Sequence, residues 1–182
     1  MQNIVIGIFG LKGSGKTLLM VLLLYIEYKA GKKILVNMKG LNFPTEIIKL
    51  KELIKLSPKL IGCSIGIDEL HTVADSRKSH KKQNINTANF IAQSRHRGVN
   101  VVYTDQFQNQ DDKRIRQNTD IKIIARNLYI DSDNDGIYDQ FEYTIIDMRT
   151  EEEPRVIKIY GKPVFALYSD AEIIDLFEYK EK

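Results

Sequence analysis

Gly10-Leu11-Lys12-Gly13-Ser14-Gly15-Lys16-Thr17 spells G-x-x-x-x-G-K-[ST], and its flanks turn the spelling into a structure. Asn3 to Phe9 (NIVIGIF) reads as a buried β-strand and Leu18 to Tyr28 (LLMVLLLYIEY) as a helix, so the glycines fall on a strand-to-helix turn. Such a turn aims successive backbone N–H groups and a helix N-terminus at one point, which is a cradle for a polyphosphate. Gly10, Gly13, Ser14, Gly15, Lys16, Thr17 and Leu18 are the expected nucleotide contacts. Lys16 is expected to reach the β- and γ-phosphates and the Thr17 hydroxyl to ligate Mg²⁺, which makes ATP and Mg²⁺ the expected ligands.

Working outward, Lys33 to Val36 reads as a second strand, Pro44 to Leu56 as an amphipathic helix stopped by Ser57-Pro58, and Ser64 to Asp68 as a third strand. Asn84 to Ser94 reads as a helix, Asn100 to Thr104 as a fourth strand and Ile121 to Ala125 as the start of a fifth. Alternating strands and helices predict an α/β fold of the P-loop NTPase kind, a mostly parallel central sheet covered by helices on both faces. Further on, Gln140 to Met148, Arg155 to Tyr160 and Val164 to Leu167 look like strands without helices between them. They predict an antiparallel C-terminal extension, closed by a helix over Ala171 to Tyr179. The 182 residues thus form a single domain, with a nucleotide-binding core over 1–126 and the extension over 127–182.

Ile67-Asp68-Glu69 ends the third strand in two acids. At the carboxyl end of a strand, Asp68 would support the Mg²⁺ and Glu69 would polarise an attacking water. Gln106, delivered by the apolar strand Asn100 to Thr104, is a neutral donor and acceptor suited to sensing the γ-phosphate. Before that strand stand Arg95 and Arg97. A guanidinium can stabilise a transferring phosphoryl group, although cations at a helix end also suit the helix dipole.

Charge and composition bound the partners. The net charge of +3 is small, so any nucleic-acid surface must lie in clusters. Arg77, Lys78, Lys81 and Lys82 form one such run, and Lys113, Arg114 and Arg116 another. Both suit phosphate contacts that ignore sequence, and both suit solvated surface charge. Cys63 is the only cysteine, which excludes an intrachain disulfide and fits a reducing compartment. The apolar run Leu18 to Ile26 falls well below the roughly 18 residues a membrane span needs. With no basic leader at the N-terminus, a cytoplasmic protein is expected, in the host cytoplasm if the chain is viral.

Asp131, Asp133, Asp135 and Glu142 match the spacing of a twelve-residue Ca²⁺ loop, with Gly136 at its turn. The flanks are rich in Ile, Tyr and Phe rather than helical, so a hairpin turn is the leading expectation and bound Ca²⁺ the alternative. His71, two residues after Glu69, reads as loop surface that could also bond near the nucleotide.

The order of these elements resembles the FtsK/HerA superfamily of nucleic-acid-pumping ATPases, especially small viral genome-packaging members and the zonula-occludens-toxin-like proteins of filamentous phages. Gly10 to Thr17, Ile67 to Glu69, and Ser94 to Gln106 (SRHRGVNVVYTDQ) carry the resemblance, which covers residues 1 to 126. It implies that Arg95 completes a neighbouring subunit's site in a hexameric ring, that Gln106 is the sensor, and that double-stranded nucleic acid is driven toward a capsid or portal. Two departures stand out. Asp105 occupies a position where many members carry Thr or Ser, and the membrane segment usual in the toxin-like proteins is missing. The alternative function is an assembly ATPase that acts on protein.

Overall fold

The computed structural model describes residues 3–48, 53, 58–72, 82–106 and 113–169. Among these, eight strands make one sheet in the order β3-β2-β4-β5-β1-β6-β7-β8. They are β1 Val5–Phe9, β2 Ile34–Val36, β3 Glu46–Ile47, β4 Ser64–Ile67, β5 Asn100–Asp105, β6 Ile121–Asn127, β7 Gln140–Asp147 and β8 Arg155–Tyr160. The first six run parallel; β7 and β8 add antiparallel at one edge, as the change in sequence texture predicts. Helices α1 Lys16–Lys29, α2 Lys82–Ser94, α3 Lys113–Gln117 and α4 Lys162–Phe165, with short 3-10 turns at Pro58–Leu60, Leu70–Thr72 and Arg95–Arg97, complete the described elements.

Period-two alternation buries both faces of the parallel strands. Val5 and Phe9 of β1, Ile65 and Ile67 of β4, and Val101 and Tyr103 of β5 face a core closed by Ala88, Phe90 and Ile91 of α2 and Ile115 of α3. Ile8, Val36 and Val102 face the opposite core, filled by Leu18, Met20, Val21 and Leu24 of α1 and Val164 of α4. Because each parallel crossover returns the chain to the same starting edge, the loops after β1, β4 and β5 emerge together at the carboxyl edge. That edge holds the phosphate loop, the acid pair and Gln106. The acid strand β4 is separated from the phosphate-loop strand β1 by one intervening strand, β5.

Two expected elements differ. The helix expected over Pro44 to Leu56 opens instead on β3, where Glu46 and Ile47 pair in parallel with Leu35 and Val36 at the free edge of β2. Beyond it, Leu53 is helical and buried, while 49–52 and 54–57 lie outside the described residues. The strand expected over Val164 to Leu167 is instead the short helix α4. Pro163 carries no N–H to lose in a first helical turn, and Gly161 O accepts the N–H groups of Val164 and Phe165. The helix expected over Ala171 to Tyr179 lies outside the described residues.

Candidate nucleotide site

The phosphate loop takes the conformation its glycines permit. Gly13 and Gly15 have φ of 77° and 89°, a region side-chain-bearing residues rarely enter. Beneath Gly15, a Cβ would meet Phe141 Cδ1 at 2.5 Å and the Tyr143 hydroxyl at 2.8 Å, so glycine is also required by packing. Tyr143 donates its hydroxyl to Gly15 O at 2.9 Å, and Asn127 Nδ2 donates to Gly13 O at 3.2 Å. The antiparallel extension therefore braces the loop from below. Burial raises the Tyr143 phenol well above its ordinary value, which keeps it a donor.

Several observations fit this loop to a triphosphate. Helix α1 follows Gly15, its N-cap residue, with no side-chain cap and no acid in its first turn, which leaves its first N–H groups to an anion. Ser14 Oγ is buried without a hydrogen-bond partner among the described residues. Lys16, almost fully buried, extends its ammonium back along the loop to the carbonyls of Gly10 and Leu11, both at 2.9 Å. Burial lowers its pKa, while the carboxylates of Asp68, Glu69 and Asp105 act in the opposite sense.

Across the edge, the Thr17 hydroxyl lies 3.1 and 3.2 Å from the two Asp68 carboxylate oxygens. The two residues expected to share a Mg²⁺ are thus brought together from positions 51 apart in sequence. An oxygen-only set of one hydroxyl and one carboxylate suits Mg²⁺, which takes its other ligands from water and phosphate. Asp68 is 4% exposed, and burial raises its carboxyl above the usual range, against hydrogen bonds from Thr104 and Thr17; nearby Glu69 adds to the rise.

Sequence reasoning missed what holds the acids. Asn37, fully buried after β2, clamps the backbone of Asp68, donating Nδ2 to its carbonyl at 2.9 Å and accepting its N–H at 2.7 Å. The Thr104 hydroxyl donates to Asp68 Oδ1 and accepts the Glu69 N–H at 2.9 Å. With its backbone held there, Glu69 adopts φ 51°, an unusual conformation for a non-glycine residue. Asp105, whose role the sequence leaves open, is fully buried. Its Oδ1 accepts the Gln106 N–H at 2.6 Å and lies 3.0 Å from His71 Nδ1, so His71 does join the site. A polar residue ending each buried strand was the available signal for both Asn37 and Thr104.

Register puts Gln106 beside the loop, because Asp105 pairs with Phe9, the residue before Gly10. Arg95 is elsewhere. It precedes β5 and so lies at the amino edge, its guanidinium 2.6 Å from Asp120 Oδ1 and 3.2 Å from Asn118 O. Within one chain the structure does not bring it to Lys16 or Glu69. There Arg95, Lys113, Arg116, Lys122 and Arg149 line a groove of about 580 Å³ with Asp120 as its acid. Arg77, Lys78 and Lys81 lie outside the described residues; Lys82 opens α2, and its side chain is not described.

The Asp131 to Glu142 stretch covers most of the hairpin connection between β6 and β7 and ends inside β7. Asp131 accepts the N–H groups of Asp135 and Gly136, while Lys162 Nζ lies 2.5 Å from Asp133 and 2.7 Å from Asp135. An ammonium thus stands among the carboxylates, and Glu142 belongs to β7, opposite Arg126 and Lys158. Among the described residues no group of three or more His, Cys, Asp or Glu side chains is arranged to hold a metal.

The sheet order, the glycine loop and the acid strand together define the P-loop NTPase fold. The fold is similar to the N-terminal domain of zonular occludens toxin from Neisseria meningitidis, with a TM-score of 0.69 and 20% identity over 93% of this chain and 100% of that one. It is also similar to the genome packaging NTPase B204 from Sulfolobus turreted icosahedral virus 2 in complex with ATP-gammaS, with a TM-score of 0.60 and 13% identity over 85% and 96% of the two chains. The ATPase domain of G40P gives 0.56 and 10% over 87% and 81%. No family model and no curated protein matches the sequence, so the likeness is one of fold. No described helix is long and apolar enough to cross a membrane.

Proposed function

We propose that the chain is a Mg²⁺-dependent ATP hydrolase that drives nucleic acid, a viral genome entering its capsid or portal. The observation that carries the hydrolytic part is the meeting of Thr17 and Asp68 beside Lys16, with Glu69 one residue further along the same strand end. Mg²⁺, when bound, would neutralise charge on the β- and γ-phosphates. Lys16 and the α1 N-terminus hold the phosphates, Thr17 and Asp68 hold the metal, and Glu69 accepts a proton from the attacking water. Gln106, tied through its N–H to Asp105, reports the γ-phosphate to β5. Ca²⁺ at Asp131, Asp133, Asp135 and Glu142 is no part of this mechanism.

Arg95 is proposed to act in trans in a ring, a hexamer by the resemblance. Its amino-edge location suits a group offered to a neighbour, and docking must then exchange Asp120 for that neighbour's phosphates. The nucleic-acid step is supported by the cationic groove beside Arg95 and by the run Arg77, Lys78, Lys81 and Lys82. The named likeness to a packaging NTPase supports the same reading, and a cytoplasmic site of action goes with it. A second reading, an assembly ATPase acting on protein, is favoured by the higher TM-score to the zonular occludens toxin domain. ATP turnover measured with and without double-stranded DNA, across a range of protein concentrations, separates them. Packaging predicts turnover that rises per chain with concentration and with DNA, the DNA effect being lost in a Lys78→Ala, Lys81→Ala, Lys82→Ala triple variant. Turnover indifferent to DNA favours the assembly reading, and a Lys16→Ala variant as active as the parent refutes both.

A further inference from the structure

Resting on the nucleotide reading above, we infer that Tyr129 is the stacking platform for the purine base of the bound nucleotide. The direction of the triphosphate follows from the site. Asp68 and Gln106 follow β4 and β5, on one side of β1, and fix the γ-phosphate end there. The nucleoside must therefore leave on the other side of the loop, over β6, which pairs with β1 through Phe9 and Ile124.

What stands on that side is an exposed aromatic. Asn127, the last residue of β6, uses both ends of its amide: Nδ2 donates to Gly13 O at 3.2 Å, and Oδ1 accepts the Tyr129 N–H at 2.7 Å. One side chain thus ties the phosphate loop to the backbone of Tyr129. Tyr129 is 69% exposed, which packing into a core does not explain. Its backbone is left-handed, with φ 55°, a conformation that bulky residues avoid unless the surroundings impose it. Tyr138 stands edge-on to it, centroids 5.5 Å apart at 84°, and buttresses one side of the ring while half exposed itself. A buttressed and exposed ring, held on a strained backbone that is tied to the phosphate loop, suits an aromatic base. Stacking accepts any π-face, so a platform without edge contacts takes adenine and guanine alike.

The test uses the full chain and calorimetric titration with three ligands: inorganic tripolyphosphate, a non-hydrolysable ATP analogue and the matching GTP analogue. The parent is expected to bind both nucleotides more tightly than tripolyphosphate and within about threefold of each other, since stacking does not read base edges. Tyr129→Ala should weaken both nucleotides roughly tenfold, within the range of a single lost base stack, and leave tripolyphosphate unchanged. Tyr129→Phe, which keeps the ring, should bind like the parent. Unchanged nucleotide affinity in Tyr129→Ala overturns the assignment, and so does a parallel loss of tripolyphosphate, which would make Tyr129 a brace of the loop. A parent that binds tripolyphosphate and the ATP analogue equally overturns the platform alone. A parent that binds none of the three sinks the nucleotide reading and this inference with it.

Discussion

Thr104→Val replaces a hydroxyl with a methyl of nearly the same size at a fully buried position on β5. The hydroxyl serves two neighbours: it donates to the Asp68 carboxylate and accepts the Glu69 N–H at 2.9 Å. A hydrogen bond to a charged group contributes about 1.5–3 kcal/mol and a neutral one about 0.5–1.5, so losing both should cost about 2–4.5 kcal/mol. For a domain of this size that is roughly 4–18 °C in Tm. Because the lost bond is also what anchors the Glu69 backbone, ATP turnover should fall at least about tenfold while tripolyphosphate binding, which uses the loop alone, holds. Urea unfolding and steady-state turnover measure the two effects, and Thr104→Ser should restore both. A Val variant within about 0.5 kcal/mol of the parent and equally active would refute the claim that β5 holds the acid pair.

Asp68 gives a prediction of opposite sign. Burial, with Glu69 adding to it, raises its carboxyl, so the folded chain binds this proton more tightly than the unfolded chain. Stability therefore falls as pH rises from the ordinary carboxylate value through the folded one, and at neutral pH the ionised group is a net cost. Asp68→Asn should raise Tm at pH 7, with the gain shrinking as pH approaches about 4, while Mg²⁺-dependent turnover disappears; a lower Tm at pH 7 would contradict this. Tyr143→Phe removes only the bond to Gly15 O, which keeps the N–H of Leu19 as a donor, so stability should drop by only about 0.5–1.5 kcal/mol. Tripolyphosphate affinity measured by calorimetry should fall with it, and unchanged affinity would mean the extension does not brace the loop.

Much of the architecture was legible because it is written locally. The run NIVIGIF before the glycines, the acids after SIGI and the glutamine after NVVYTD each announce a strand and what it delivers. Where local signals competed, context won. Val164 and Phe165 favour strands by propensity, yet Gly161 and Pro163 start a helix there. Glu46 and Ile47 suit a helix face, yet an open edge at β2 takes them as a strand. The partners of the residues that brace the site were illegible for a different reason, even where a polar strand end marked Asn37 and Thr104 as candidates. Asn37, Thr104, Asn127 and Tyr143 act across sequence separations of 31, 36, 114 and 128 residues, which depend on sheet register and leave no periodic trace. The left-handed turn at Tyr129 is equally silent, since nothing in the residue itself asks for it.

The seam between residues 126 and 127 divides the chain on paper only. Severing it would take away Phe141 and Tyr143 from under Gly15 and Asn127 from beside Gly13, so a shortened fragment would keep every residue of the nucleotide-binding signature and lose the floor on which it rests. Dissecting this chain by removing its tail would therefore report on the phosphate loop, whatever property the tail was meant to isolate.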